Sequence, residues 1–355
     1  MGWKSETERP HIEVTGATPF EIGLSRGRAL AGSLAEASAA YDALFRSVGV
    51  TVAAQAVAVE QVLRTLSEWR PAVVAELSGV AEGAGVELAE VVALNARTEI
   101  LALAGGAPEC STVTAVIDGA RVGAQTWDWH IELDRFWHTQ VVHGTGLSYA
   151  GLTEQGILSK IGINEGGLAL HFNILFHAED GAGGVPMHLL SHAILTECRS
   201  VEEALELLGD APIGSSSALT LLDRERAVAL ELSPVGVFEI GEVDGSVQRT
   251  NHFLNSTPLA GQKTAQAEPD SSARLALIRS RLEGGLPRDE AGLVDLLVSG
   301  EGEAPLTCRP DLSLPVGEHW ATLATVVTEP ERGRIRILDG MPTEAETGAW
   351  RVLEI

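Results

Sequence analysis

The chain has 355 residues, 45% hydrophobic and 21% charged, and its 49 acidic against 25 basic residues leave a net charge of −24. Such acidity speaks against nucleic acid, whose phosphates need a basic surface, and against docking on anionic membranes. No run of about 18 apolar residues is available to span a bilayer. The excess of acids either keeps the protein soluble or draws in a cationic substrate. The opening Met1 to Glu6 has no apolar stretch for a signal peptide, and Glu6 stands where the myristoylation pattern needs Ser or Thr. Cys110, Cys198 and Cys308 are odd in number and lack metal-ligand spacing, so they read as reduced thiols in a cytoplasmic protein.

Residues 11–15 suit a short strand. Thr18 and Pro19 then supply a cap and a first-turn proline for a helix to about Ser47. Further helices fit Val52 to Trp69, Pro71 to about Gly83, and Leu88 to Ala104. Beyond them the pattern changes to strands, expected at 110–117, 120–127, 138–143, 146–152, 157–163 and 167–173. Helices follow from Pro186 to Cys198 and Ser200 to Leu208, then strands at 217–222, 226–233, 236–241 and 246–250. Asp270 to Leu282 and Arg288 to Val298 read as helices, and the last strands fall near 321–328 and 333–338. Residues 178–185 and 257–269 read as surface loops. With no internal repeat and no long linker, residues 1–355 form one α+β domain, its sheets sandwiched between helical layers.

The chemistry gathers where helix gives way to strand. Asp118-Gly119 is a two-residue hairpin signal, which sets Ile117 opposite Ala120 and Cys110 opposite Trp127. Asp128 then lies at the hairpin mouth. Strict alternation turns its side chain away from Cys110, so a bulge or strand end must redirect it.

Glu109-Cys110-Ser111-Thr112 with Gln125-Thr126-Trp127-Asp128-Trp129 resembles the acyl-coenzyme A:isopenicillin N acyltransferase family, the C45 cysteine peptidases. These are N-terminal-nucleophile (Ntn) hydrolases. The resemblance extends through Pro19 to Gly23, Gly79 to Glu99, Lys160 to Glu165, Thr250 to Phe253, Asp270 to Arg274 and Thr307 to Arg309. It implies a four-layer αββα fold and a nucleophilic Cys110. It also implies self-cleavage between Glu109 and Cys110, leaving an α chain 1–109 and a β chain 110–355 that stay together. Asp128 matches the aspartate that orients the nucleophile, Asn251 the donor to the oxyanion hole, and Arg309 an arginine beside the thiol. Arg274 follows the logic of Arg309. One residue departs from the pattern: many relatives carry Gly before the cysteine, where this chain has Glu109, which tolerates strained backbone less well.

Each assignment has a plainer rival. Cys110 alone reads as a buried structural thiol, Asn251 as a turn residue, and Arg309 as a surface partner of Asp311. Arg97 and Glu99 read equally well as a helix-surface ion pair. Trp127, Trp129 and Phe136 either line an acyl pocket or are plain core. His188 and His192 have zinc-helix spacing but lack the Glu of H-E-x-x-H and a third ligand, so no metal is expected. Gly79 to Gly85 lies in a helix-to-helix junction, not in a nucleotide loop. No cofactor is expected, and no basic cluster for coenzyme A is legible. The expected function is hydrolysis of a small N-acyl amine or amino-acid amide through an acyl-thioester on Cys110. The alternatives are an acyl-coenzyme A-dependent acyltransferase and an inactive Ntn fold that only binds.

Overall fold

The computed structural model describes Ser5 and residues 7–104, 110–263 and 270–355. After β1 (His11–Thr15), helix α1 (Pro19–Ser47) starts as predicted: the extended Thr18 takes the N–H of Glu21 on its hydroxyl, and Pro19 fills the first turn. α2 (Val52–Trp69) and α3 (Pro71–Ala84) follow. α1 and α3 meet backbone to backbone. A Cβ on Gly23 would lie 1.9 Å from the carbonyl oxygen of Glu76, and one on Gly79 2.1 Å from that of Phe20. Any side chain at either position would push the two helices apart, which explains two glycine-bearing stretches that the sequence singles out.

The fourth expected helix is two. α4 (Leu88–Asn95) stops at Ala96 and α5 (Arg97–Ala102) restarts. The side chain of Asn95 donates to the carbonyls of Val91 and Gly156, 2.8 Å each, and accepts the N–H of Leu158 at 3.1 Å. A side chain that competes for helix carbonyls weakens the helix it sits in. The same bonds hold the 155–160 segment off the sheet, so the strand expected at 157–163 is only β6 (Ile161–Asn164).

The hairpin of β2 (Cys110–Ile117) and β3 (Ala120–His130) has the predicted register, Ile117 with Ala120 and Cys110 with Trp127. Asp118 (φ 52°) and Gly119 (φ 85°) take the left-handed conformations that a type I′ turn requires. β4 (Trp137–His143), β5 (Tyr149–Glu154), β6 and β7 (Ala169–Ile174) form a meander. After α6 (Met187–Glu197) and α7 (Val201–Gly209) it resumes with β8 (Ser217–Leu222), β9 (Ala227–Ser233) and β10 (Gly236–Gly241). Only two residues, β11 (Gln248–Arg249), pair where a longer strand was expected. A short α8 (Ser256–Leu259) falls in the expected loop, and α9 (Ser271–Leu282) and α10 (Glu290–Asp295) follow. The chain closes with β12 (Trp320–Glu329), β13 (Arg334–Asp339) and β14 (Trp350–Glu354), the last unforeseen because its five residues carry two charges.

Among the described residues the strands make two sheets, β1-β4-β5-β6-β7-β8-β9-β10 and β11-β2-β3-β12-β13-β14. All pairs are antiparallel except β1 with β4. The sheets face each other through Gln125, which donates to the Phe172 carbonyl, and His171, which meets Thr328. α1 to α7 cover the outer face of the larger sheet, while α9 and α10 pack on Val113, Ala115, Val122 and Ala124 of the smaller. The result is the four-layer αββα arrangement. Among the described residues no single helix is long and apolar enough to cross a membrane.

Candidate active site

Cys110 is the first residue of β2 and is buried between the sheets. The self-cleavage expectation falls on Glu109, which lies outside the described residues. Three side chains pin the Cys110 backbone. Asn251 Oδ1 accepts its N–H at 3.0 Å, and Asn173 Nδ2 and Arg274 Nη1 each donate to its carbonyl at 2.9 Å. Arg274, fully buried, also donates to Ser111 Oγ (2.7 Å) and Asn251 Oδ1 (2.9 Å). Asn173 reaches in from β7, and Thr112 donates to its Oδ1. Two motifs distant in sequence are laced together here: Ser271, at the start of α9, takes the N–H of Asn251 on its hydroxyl and accepts from Thr250 on its carbonyl.

Asn251 therefore sits beside Cys110, but it holds the nitrogen. Its Nδ2, the expected oxyanion donor, goes to the Ile174 carbonyl at 3.0 Å.

Asp128 meets the Cys110 thiol with its backbone N–H, and the neighbouring strand is irregular at this point. β12 pairs Thr322 with Asp128 but Ala324 with Trp127, so the register shifts opposite the hairpin mouth. Thr322 Oγ1 donates to Asp128 Oδ1 at 2.6 Å and accepts the N–H of Cys308 at 3.0 Å. Burial and the Asp128 carboxylate push the Cys110 thiol up to about 12, against the opposing pull of the Asp128 N–H, Lys160 and Arg274. Cys110 is therefore a neutral thiol near neutral pH.

Arg309 goes elsewhere. It is exposed and bonds no described residue, while its expected surface partner Asp311 accepts from Ser313. The backbone of the preceding Cys308 makes the link to Thr322, and Arg274 is the arginine at Cys110. Arg97 and Glu99 are no helix-surface ion pair either. Both are buried: Arg97 binds Glu154, and Glu99 accepts from Met187 N–H and Ser215 Oγ.

The aromatic residues serve mainly as platforms for buried cations. Lys160 Nζ lies 3.7 Å from the Trp127 ring centroid, and the Arg97 guanidinium 3.8 Å from that of Trp129, whose Nε1 donates to Tyr41. Trp137 packs edge-on to Trp127. Phe136 is buried under the half-exposed Arg135. His192 pairs with Glu76 at 3.1 Å, and His188 stands edge-on to Phe172.

Sequence reasoning passed over Asn173 and gave Lys160 no role. Each had a signal, a polar side chain inside an apolar strand (ALHFNI) and a lone lysine before the apolar Ile161 to Ile163.

A family model described as acyl-coenzyme A:6-aminopenicillanic acid acyl-transferase matches residues 117–344, a span that takes in Asp128, Asn173, Asn251 and Arg274. The acyl-coenzyme A:6-aminopenicillanic-acid-acyltransferase 40 kDa form of Emericella nidulans is 31% identical over 284 residues, 77% of each chain. Among solved structures, one similar chain is a Caenorhabditis elegans N-acylethanolamine-hydrolyzing acid amidase ortholog, at 14% identity and TM-score 0.46 over 69% of this chain and 100% of that one. Penicillin V acylase from Agrobacterium tumefaciens is similar at 15% identity and TM-score 0.45, over 69% and 86%.

Proposed function

This chain belongs to the acyl-coenzyme A:6-aminopenicillanic acid acyl-transferase family, and on that premise we propose that it is a self-processing Ntn amidohydrolase with Cys110 as nucleophile. The observation that carries this reading is the grip of Asn251 on the backbone nitrogen of Cys110, at 3.0 Å. Cleavage before Cys110 turns that nitrogen into an α-amine already held beside its own thiol. An α-amine titrates at about 8 and so serves as a base near neutrality.

The reaction then runs in two balanced halves. The α-amine takes the thiol proton as sulfur attacks the amide carbon. The C–N bond breaks, the departing amine takes that proton, and an acyl-thioester remains on Cys110. Water attacks the thioester, loses a proton to the α-amine, and a carboxylic acid leaves as the thiol re-forms. Asp128 orients the sulfur through its backbone N–H. Donors beside the reacting carbon carry the oxyanion, and Asn251 becomes one of them if its amide turns once the peptide bond is gone.

The substrate we propose is a small N-acyl amine or amino-acid amide. An acidic protein is a poor host for a polyanionic coenzyme A donor and a better one for an amine-bearing amide. A cytoplasmic setting fits the three free cysteines. Family membership favours a second reading, transfer of the acyl group from acyl-coenzyme A to an amine.

Intact-mass measurement on purified protein tests the maturation. Two fragments divided between Glu109 and Cys110 are expected, with Cys110→Ala remaining at full length and without turnover. A product assay on N-acyl amines and acyl-coenzyme A donors, with and without an amine acceptor, then separates the two readings. Transfer from coenzyme A that outpaces hydrolysis overturns the hydrolase.

A further inference from the structure

One buried cluster has no part in the steps above. Lys160 is fully buried, its ammonium paired with Glu154 and seated on the Trp127 ring. Trp127 is the residue directly across the strand pair from Cys110, and residues so placed hold their Cβ atoms about 5 Å apart. Phe172 of β7 and Trp129 of β3 complete the surround, 5.4 and 5.7 Å from the ammonium to the ring centroids.

The charged neighbours come from several elements. Arg97 of α5 shares the Glu154 oxygen that Lys160 uses, at 2.5 Å, and Tyr41 of α1 holds the other. His188 of α6 lies in the same field and is kept neutral, well below its usual range, by burial and by the cations. Glu99 is engaged with Met187 and Ser215, its carboxyl pushed upward by burial. Two cations thus share one carboxylate, and the unanswered positive charge is costly where no water reaches it. The ionisable group next to it across Trp127 is the Cys110 thiol, on which Lys160 acts as a cation while Asp128 and Arg274 act with opposite signs.

We propose that Lys160 is a positioning residue for the nucleophile: held by Glu154 on the face of Trp127, its ammonium stabilises the Cys110 thiolate and withdraws that support when it loses its proton. The inference rests on Cys110 being the nucleophile. Burial, opposed by Glu154, brings Lys160 down to about 7, so the support is present below neutrality and lost above it.

The test is the rate at which iodoacetamide alkylates Cys110 in the full chain, read on the Cys110 peptide by mass from about pH 5 to about pH 10. Thiolate, and with it the rate, rises about tenfold per pH unit. In the wild type that climb flattens near pH 7 as Lys160 discharges, forfeiting about tenfold. Lys160→Arg keeps its charge and climbs straight through neutrality. Lys160→Met climbs in parallel but about tenfold lower on the acid side. Glu154→Gln moves the flattening to lower pH, because it removes the group that holds the Lys160 proton. The α-amine of processed chains titrates in every variant and cancels in the comparison.

Lys160→Arg and Lys160→Met both superimposing on the wild type overturns the proposal. Should Lys160→Met fail to fold, Lys160→Arg and Glu154→Gln decide: both curves must change as stated. Cys110→Ala separates this inference from the reading beneath it. Turnover surviving in Cys110→Ala removes the nucleophile assignment, whereas a dead Cys110→Ala beside unchanged Lys160 variants removes only the role of Lys160.

Discussion

The two flanks of Cys110 are built from different physics. Toward α9 and β11, everything is aimed at backbone atoms by short polar bonds, with Asn251 on the nitrogen and Asn173 and Arg274 on the carbonyl. Toward α1, α5 and β5, the contacts are charge on charge and charge on ring, with Glu154 between two cations that sit on Trp127 and Trp129. Hydrogen bonds hold only over a narrow range of distance and angle, so the first flank fixes where the Cys110 backbone lies. A buried charge acts through several ångströms of protein, so the second bears on the charge state of groups around it.

The largest way to break this comparison is on the charged flank. Glu154→Leu leaves Arg97 and Lys160 buried with no carboxylate between them and is expected to cost about 3–5 kcal/mol of stability, measured by urea unfolding. A loss near zero would mean the cluster is not held by its charges. On the polar flank the damage should appear in rate. Asn251→Ala is expected to lower turnover by about 10²–10³ and to stall maturation, with a smaller change in stability. Wild-type turnover in that variant would detach Asn251 from the chemistry.

Acid sharpens the contrast, because each flank carries a neutral histidine, His188 buried and His252 partly buried. Burial and the neighbouring arginines lower His252 to about 4, and burial with Arg97 and Lys160 holds His188 well below its usual range. The unfolded chain binds protons at about pH 6.5 that these folded side chains refuse. Their full stability is present above that pH and lost as pH falls, by about 1.4 kcal/mol per pH unit for His188 and by less for His252, whose charge solvent screens. His252→Asn should remove its share only down to about pH 4, while His188→Leu removes its share further into acid. Identical profiles would contradict the difference in environment. The smallest effect is expected at Arg309: Arg309→Ala should stay within about twofold in rate, as exposed positions generally do. Arg274→Ala, by contrast, strips three buried acceptors of a donor. An inactive Arg309→Ala would return the arginine role to the residue that family resemblance indicates.

Most of the fold and half of the site were legible beforehand, for identifiable reasons. The hairpin register follows from Asp118-Gly119 alone, since two left-handed residues in a row permit one kind of tight turn. The cap and first turn of α1 follow from Thr18 and Pro19 in the same way. Asn251 and Asp128 were named by resemblance, yet what their atoms do was not: the Asn251 amide is turned to the nitrogen, and Asp128 meets the thiol with its backbone N–H.

What the chain determined by itself is whatever a few neighbouring residues decide through sterics and local hydrogen bonds: the caps, the hairpin, and the change from helix to strand at Cys110. Tertiary structure alone decided which of two similar arginines reaches the Cys110 backbone. Arg274 lies on a helix that packs against β2 and β11, whereas Arg309 leads into an exposed loop. It also decided that Asn95 interrupts a helix to hold residues 155–160, and that Lys160 is buried against Glu154 and Trp127. The physical reason is common to all three. A side chain's protonation and partners depend on the field and space created by residues far away in sequence, and no local pattern encodes that sum.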